Sequence, residues 1–241
     1  MIDELGSLAS IVTRGAESLG ISLFPGAIAL FENYYSFLSI RNQAINLTAI
    51  EGVKEVAQLH FLDSIALLSV ARFNGANVID IGSGAGFPGI PLKIADPSIN
   101  LTLIDSTLKR VEFLSDLCVY LGLNVRCIHT RAEEATHTPN MRENYDIAVS
   151  RAVAKLNILC ELCLPFVQIG GIFVAMKGID SSDELSEANA SIQMLGAELQ
   201  NCFDYTIPET QIRRRVVIIK KSSITPDIFP RRFAKIQKKP L

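Results

Sequence analysis

Residues 80–91 read DIGSGAGFPGIP, Asp80 to Pro91, with four glycines (Gly82, Gly84, Gly86 and Gly89), two prolines and one charged side chain. Glycine lets a ligand come close to the backbone and adopts positive φ without strain, so a run this bare points to a surface on which something is laid. The residues before it, beginning NVID at Asn77, read as a short buried strand, and those after it as a helix. A strand-to-helix loop is where an open parallel sheet offers a ligand crevice at its carboxyl edge.

The same alternation continues outward. NVIDIG, NLTLID, NVRCIHT, YDIAVS and GGIFVAM read as buried strands, separated by helix-like stretches such as TLKRVEFLSDLCVYLGL and AVAKLNILCELCLPFV. That order predicts a mostly parallel α/β sheet covered on both faces. NCFDYTIP and RRVVIIKK follow with no long helix between them, which predicts an antiparallel pair at one edge and completes a set of seven strands. Upstream there is no strand signal, and PGAIALFENYYSFLSI places Ile28, Phe31, Tyr35 and Leu38 at helical spacing after Pro25. The expected organisation is a helical extension over 1–60, the α/β domain over 61–221 and an irregular basic tail over 222–241 containing Pro226, Pro230 and Pro240.

Composition narrows the setting. A chain of 241 residues with 49% hydrophobic content buries one sizeable core. Five scattered cysteines, an odd number, argue against a disulfide framework and for a reducing cytoplasm. Asp3 and Glu4 stand where a signal peptide needs positive charge, and no apolar run reaches the roughly 18 residues of a membrane span, so a soluble cytoplasmic protein is expected. The net charge of -2 conceals a basic end, because Gln211 to Leu241 holds ten Lys or Arg against one acid, Asp227. Such an end either meets nucleic-acid phosphates or merely solvates a tail.

The loop admits two guests. GAGFPG (Gly84, Gly86, Gly89) satisfies the dinucleotide pattern G-x-G-x-x-G, with Asp105 downstream to bind a ribose, so a nicotinamide-dependent oxidoreductase is the first rival reading. The full string from Asp80 to Gly86, however, resembles the D-x-G-x-G-x-G first motif of class I methyltransferases, which use S-adenosylmethionine. Pro88 and Pro91 also remove backbone N–H groups where a pyrophosphate needs donors. A further acid, Glu133 in TRAEEA, follows the third strand.

With its other short motifs added, the chain resembles the ribosomal RNA small subunit methyltransferase G family, also called glucose-inhibited division protein B. The matching pieces are NLTAI (Asn46 to Ile50), HFLDS (His60 to Ser64), VIDIGSGAGFPGIPL, RAEE (Arg131 to Glu134), SRAVA (Ser150 to Ala154), KG (Lys177, Gly178), PRR (Pro230 to Arg232) and a terminal PL. The resemblance implies a class I S-adenosylmethionine-dependent methyltransferase fold and methyl transfer to N7 of the 16S ribosomal RNA guanosine conventionally numbered 527. It implies that Gly82, Gly84, Phe87, Asp105, Ala132, Glu133 and Arg151 hold the cofactor, with Asp105 on the ribose hydroxyls and Ala132 and Glu133 near the adenine. The expected partner is 16S RNA or a small-subunit particle, met by a monomer, with no metal. The second rival is an RNA-binding module that keeps the pocket without activity.

Guanine N7 carries a lone pair and no proton, so its attack on a sulfonium methyl needs no general base. Catalysis then rests on alignment and fixed electrostatics. Because N7 must stay open, the common Arg fork to O6 and N7 is ruled out. Acceptors such as Asn46, Asp63 or a backbone carbonyl are candidates for the N1 and N2 protons. Arg131, Arg151 and Lys177 each follow a predicted strand and are expected to face the same crevice. Arg151 is the candidate catalytic residue between cofactor and target. Arg131 and Lys177, joined by Lys109 and Arg110, are candidates for RNA phosphate or guanine O6.

His60 and Asn46 are assigned to substrate only through the resemblance, since a lone His is more often structural and NLT suits a turn. Asp63 and Ser64 alternatively cap a helix starting IALLSVA. Cys160 and Cys163 lack a second pair and suit core packing better than zinc. RRRVVIIKK alternatively forms an edge strand guarded by charge.

Overall fold

Seven strands, β1 (Asn77–Ile81), β2 (Asn100–Asp105), β3 (Arg126–His129), β4 (Tyr145–Arg151), β5 (Val167–Gly178), β6 (Ala197–Thr206) and β7 (Arg213–Lys221), form one sheet in the order β3-β2-β1-β4-β5-β7-β6. The computed structural model describes residues 6–138, 140–151 and 154–241. Asp3, Glu4, Ala152 and Val153, which entered the sequence argument, lie outside the described residues. The first five strands pair in parallel, and β7 runs antiparallel to both β5 and β6. The expected α/β sheet with an antiparallel edge is therefore present. One detail differs: β7 lies inside the sheet and β6 is the edge, so RRRVVIIKK is no guarded edge strand. Its apolar centre, Val216 to Ile219, is buried throughout, as an inner strand requires.

Alternation along the strands divides the core. Val78, Leu101, Leu103, Ile147 and Val149 face one side; Ile79, Ile81, Ile104 and Ala148 face the other. The first side is covered by α4 (Gly89–Ala95), α5 (Leu108–Tyr120) and the described part of the N-terminal extension. The second is covered by α7 (Leu156–Cys163) and α8 (Ser182–Met194), while the short α6 (Ala132–Ala135) follows β3. Cys160 and Cys163 are fully buried on α7, where apolar surroundings raise both thiols above their ordinary pKa.

The extension is helical, as its spacing predicts, but it does not stop at residue 60. After α1 (Leu8–Ser18) and α2 (Ala27–Ile45), a helix α3 runs unbroken over residues 53–69, passing from α (Val53–Val56) to π (Ala57–Leu62), back to α (Asp63–Ile65) and into 3-10 (Ala66–Ser69). Asp63 and Ser64 thus sit in mid-helix and cap nothing; the Ser64 hydroxyl donates back to the His60 carbonyl at 2.5 Å. Phe31, Tyr34 and Leu38 form the buried stripe of α2, with Tyr34 innermost in place of Tyr35. Phe61 meets Phe31 and Tyr34 at centroid distances of 4.9 and 5.2 Å. Extension and sheet share one core, so residues 6–60 have no separate interior.

The tail also departs from expectation. Residues 233–238 form α9 (Phe233–Lys238), and Phe229 and Ile236 are buried against the second face of the sheet. The prolines that suggested an irregular segment lie before and after this turn of helix.

The glycine loop serves two purposes that its sequence does not separate. At Gly86, with φ +101°, an added Cβ would lie 2.7 Å from both the Tyr34 hydroxyl and Ile90 Cδ1; at Gly89 it would lie 2.6 Å from Leu103 and 2.8 Å from Asp80. These two glycines admit the protein's own side chains. At Gly84, with φ +59°, the nearest atom would be 3.9 Å away. Gly86→Ala is expected to destabilise the fold by about 2–4 kcal/mol, combining backbone strain and overpacking, and Gly84→Ala by only ~1–2 kcal/mol of strain. Urea unfolding of the two variants beside the parent measures the difference.

Candidate active site

At the carboxyl end of β1 the chain turns through Gly82, with φ +73°, and the amides of Gly82 and Ser83 both donate to the Ile104 carbonyl, at 2.9 and 3.1 Å. The Ser83 hydroxyl donates to the Asp80 carbonyl at 3.0 Å. The Gly84 amide then donates to Asp105 Oδ2 at 3.0 Å, and the Thr107 amide to Asp105 Oδ1 at 2.8 Å. The ends of β1 and β2 are thereby locked together. Above them opens a crevice of about 320 Å³, lined by Gly82, Asp105, Ala132, Glu133 and Arg151 among others, with Ile81, Ile104 and Leu162 supplying apolar walls. It lies where strand order reverses between β1 and β4, the switch point at which open α/β sheets bind ligands.

The amides at the start of α4 decide between the two guests. Pro88 and Pro91 have none; Gly89 donates to Asp80 Oδ2 at 2.9 Å, Ile90 to the Gly86 carbonyl at 2.8 Å and Leu92 to the Pro88 carbonyl at 3.2 Å. No donor in this turn remains for a pyrophosphate, which defeats the dinucleotide reading. S-adenosylmethionine fits the same residues better. It is a cation with ribose hydroxyls, and the crevice offers the buried carboxylates of Asp105 and Glu133. Below the loop, Asp80 is fully buried with Oδ1 lacking a partner, and burial pushes its carboxyl up to about 7.

A second group of residues fastens this loop to the extension. The Phe87 ring stacks on His60 at 4.2 Å and on Tyr34 at 5.3 Å, and the Arg151 guanidinium lies 4.9 Å from its centroid. The Tyr34 hydroxyl donates to the Ala85 carbonyl at 2.5 Å. Arg151, at the end of β4, donates to the Leu59 carbonyl at 3.1 Å, to Asp63 Oδ2 at 3.3 Å and to His60 Nδ1 at 3.1 Å. His60 Nε2 meets the Thr48 hydroxyl at 2.9 Å. Desolvation, with Arg151 beside it, lowers His60 to about 3. The ring is therefore neutral, with Nδ1 between the Arg151 guanidinium at 3.1 Å and the Leu59 carbonyl at 3.2 Å and Nε2 against the Thr48 hydroxyl. Asp63 also accepts from the Tyr205 hydroxyl at 2.7 Å, and Arg214 stands 3.8 Å away. Burial raises the Asp63 pKa against the pull of these partners.

A family model described as rRNA small subunit methyltransferase G matches residues 27–213. The chain belongs to the rRNA small subunit methyltransferase G family. A relative of that name from Acetivibrio thermocellus is 41% identical over 235 residues, 97% of each chain. Another from Desulforamulus reducens is 43% identical over 239 residues, covering 98% of this chain and all of its own. A solved SAM-dependent methyltransferase from Aquifex aeolicus shares the fold, with a TM-score of 0.51 at 16% identity over 68% of this chain and 92% of that one. The cofactor that family and fold call for is S-adenosylmethionine.

Against this methyltransferase frame the residues singled out in the sequence separate into groups. Gly82, Asp105, Ala132, Glu133, Arg131 and Arg151 all line the crevice. Phe87 does not line it; its ring is 5% exposed and engaged by Tyr34, His60 and Arg151. Lys177, expected to face the crevice, instead pairs with Glu184 on α8 at 2.7 Å and donates to the Ala154 carbonyl at 3.0 Å. Lys109 is exposed on α5, and its neighbour Arg110 reaches Asp105 at 3.6 Å. Asn46 is the left-handed C-cap of α2, with φ 49° and an exposed side chain. Asn42, one turn earlier, organises the NLTAI loop: its amide donates to the Thr48 carbonyl at 2.9 Å and its oxygen accepts the Thr48 N–H at 2.9 Å.

His60 and Asp80 pull the pH dependence of stability in opposite directions. Unfolded, the histidine protonates near 6.5 but folded only near 3, so its contribution is present above pH 6.5 and lost as pH falls. Asp80 ionises near 3.8 unfolded and near 7 folded, so the folded state binds the extra proton between those values and stability falls as pH rises through them. Asp80→Asn removes the second slope and leaves the first. Urea unfolding between pH 4.5 and 6.5 is expected to show the variant gaining stability with pH more steeply than the parent; parallel slopes would refute this assignment.

Proposed function

We propose that this chain methylates N7 of a guanosine in 16S ribosomal RNA, position 527 by the conventional count, working as a monomer in the bacterial cytoplasm on RNA or a small-subunit particle. The reading is carried by one arrangement: a crevice with carboxylates for a nucleoside and no amides for a pyrophosphate, joined through Arg151 to a helical extension that is part of the same core. Among the described residues no helix is long and apolar enough to cross a membrane. S-adenosylmethionine supplies, when bound, a methyl group on a sulfonium. Asp105, Ala132 and Glu133 hold its nucleoside, and Gly82 and Gly84 lie along its amino-acid portion.

The environment of the proposed reaction suits a nucleophile that loses no proton. Both nitrogens of His60 are engaged, and Asp63 is committed to Arg151 and Tyr205. Arg151 then acts as a fixed hydrogen-bond donor aligned by Leu59, His60 and Asp63, which orients the base without proton exchange. Because Asp63 is occupied, reading of the guanine N1 and N2 edge falls to Asn46 or to backbone carbonyls near it. Lys109, Arg110 and Arg131 face RNA phosphates at the crevice rim. Residues 1–60 and 222–241 serve, in this reading, as RNA-facing additions to the catalytic core over 61–221.

Arg151→Lys keeps the charge and loses the fork, so Asp63 keeps a cationic neighbour. Transfer of tritiated methyl to 16S RNA is expected to fall about 100-fold, the scale of losing one aligned donor, with far-UV circular dichroism unchanged. Arg131→Ala is expected to raise KM for RNA more than it lowers kcat. Parental rates in both variants, or an intact N7-methylguanosine in 16S RNA from a strain lacking the protein, would refute the assignment.

A further inference from the structure

The tail is held in place by a costly device. Glu161 on α7 is fully buried, and its carboxylate accepts from the Arg231 backbone N–H at 2.8 Å, from Arg231 Nε at 2.8 Å and from Arg231 NH2 at 2.6 Å. Arg142 donates to the Phe229 carbonyl at 2.9 Å and to the Thr225 carbonyl at 2.7 Å. Burying an ion pair yields little net stability, but it fixes one geometry and punishes alternatives. The geometry fixed here is that of the next residues, where Phe233 opens α9.

Phe233 lines the same crevice as Ala132, Glu133 and Leu162. The Arg131 guanidinium lies 4.8 Å from its ring centroid, while Arg131 Nε donates to Glu133 Oε1 at 2.6 Å. A second cavity of about 640 Å³ shares Arg131, Glu133 and Phe233 with the crevice. The Arg131–Phe233 pair is therefore the partition that gives the crevice its far wall. An aromatic ring beside the residues assigned to adenine is a surface of the kind that binds a purine.

We propose that Phe233 is a wall of the nucleoside end of the crevice, so that the C-terminal segment is part of the cofactor site. This rests on the reading that the crevice takes S-adenosylmethionine. The ligand chemistry is a purine nucleoside, and the tail's anchors at Glu161 and Arg142 position the ring for it.

Isothermal titration of the full chain with S-adenosylhomocysteine and with 5′-methylthioadenosine, which has the nucleoside but not the amino acid, tests the proposal. Phe233→Ala is expected to weaken both ligands by the same factor, about fivefold to a hundredfold, the range for losing one base–aromatic stack. Phe233→Tyr, which keeps the ring, is expected to bind both as the parent does. Unchanged affinity in Phe233→Ala, or a loss for S-adenosylhomocysteine alone, would overturn the assignment of Phe233 while leaving the methyltransferase reading intact. A parent protein that binds neither ligand would overturn that reading itself.

Discussion

The ring of Phe87 is the point on which the rest of this molecule hangs. It belongs to the glycine loop, yet its three aromatic partners, Tyr34, His60 and Phe61, come from the helices that precede the sheet, and Arg151 comes from β4. Stacking and cation–π contacts of this kind each contribute about 0.5–1.5 kcal/mol beyond apolar burial. More important is what they align. The loop that borders the crevice, the strand end that carries its cation and the helices of the N-terminal extension are all registered against one side chain.

That seam explains why the loop is so poor in side chains. Gly82 lines the crevice, while Gly86 and Gly89 face the protein's own side chains. Gly86 leaves room for the Tyr34 hydroxyl and Gly89 for Asp80 and Leu103, so the bare sequence answers two demands at once. The same economy governs Asp80, whose Oδ2 accepts the first amide of α4, that of Gly89, while Oδ1 stays buried and unpaired. Burial without a partner on Oδ1 is what lifts this carboxyl to about 7.

The sheet, its antiparallel edge and the crevice were readable because each rests on local pattern: strand runs bounded by turns, glycines after a strand, acids at strand ends. Asp105, Glu133 and Arg151 follow from that logic. The partners of those residues do not. Lys177 looked like a crevice cation because it follows a strand, and only the docking of α8 reveals Glu184 beside it. Tyr205 meets Asp63 from 142 positions away, and Arg231 meets Glu161 across 70. Phe87 carried the right motif and the wrong neighbour, since nothing in a local string says which helix will stack on it. In the tail, Pro226, Pro230 and Pro240 mask the short helix α9 that lies between the last two, and Asn42 gives no local signal beside Asn46, which stands inside the more conspicuous NLTAI.

The continuous helix through residues 53–69 bears on how enzymes of this architecture acquire new targets. A detachable recognition module can be exchanged on a constant catalytic unit, as one changes a tool head. Here His60 and Asp63 lie on one unbroken helix that joins the N-terminal helices to the sheet, and both are bonded to Arg151 at the end of β4. Under the proposed function, retargeting would proceed by substitution at exposed positions such as Asn46, with the helix and its aromatic seam retained, because a transplanted extension would arrive without the groups that hold Arg151 in line.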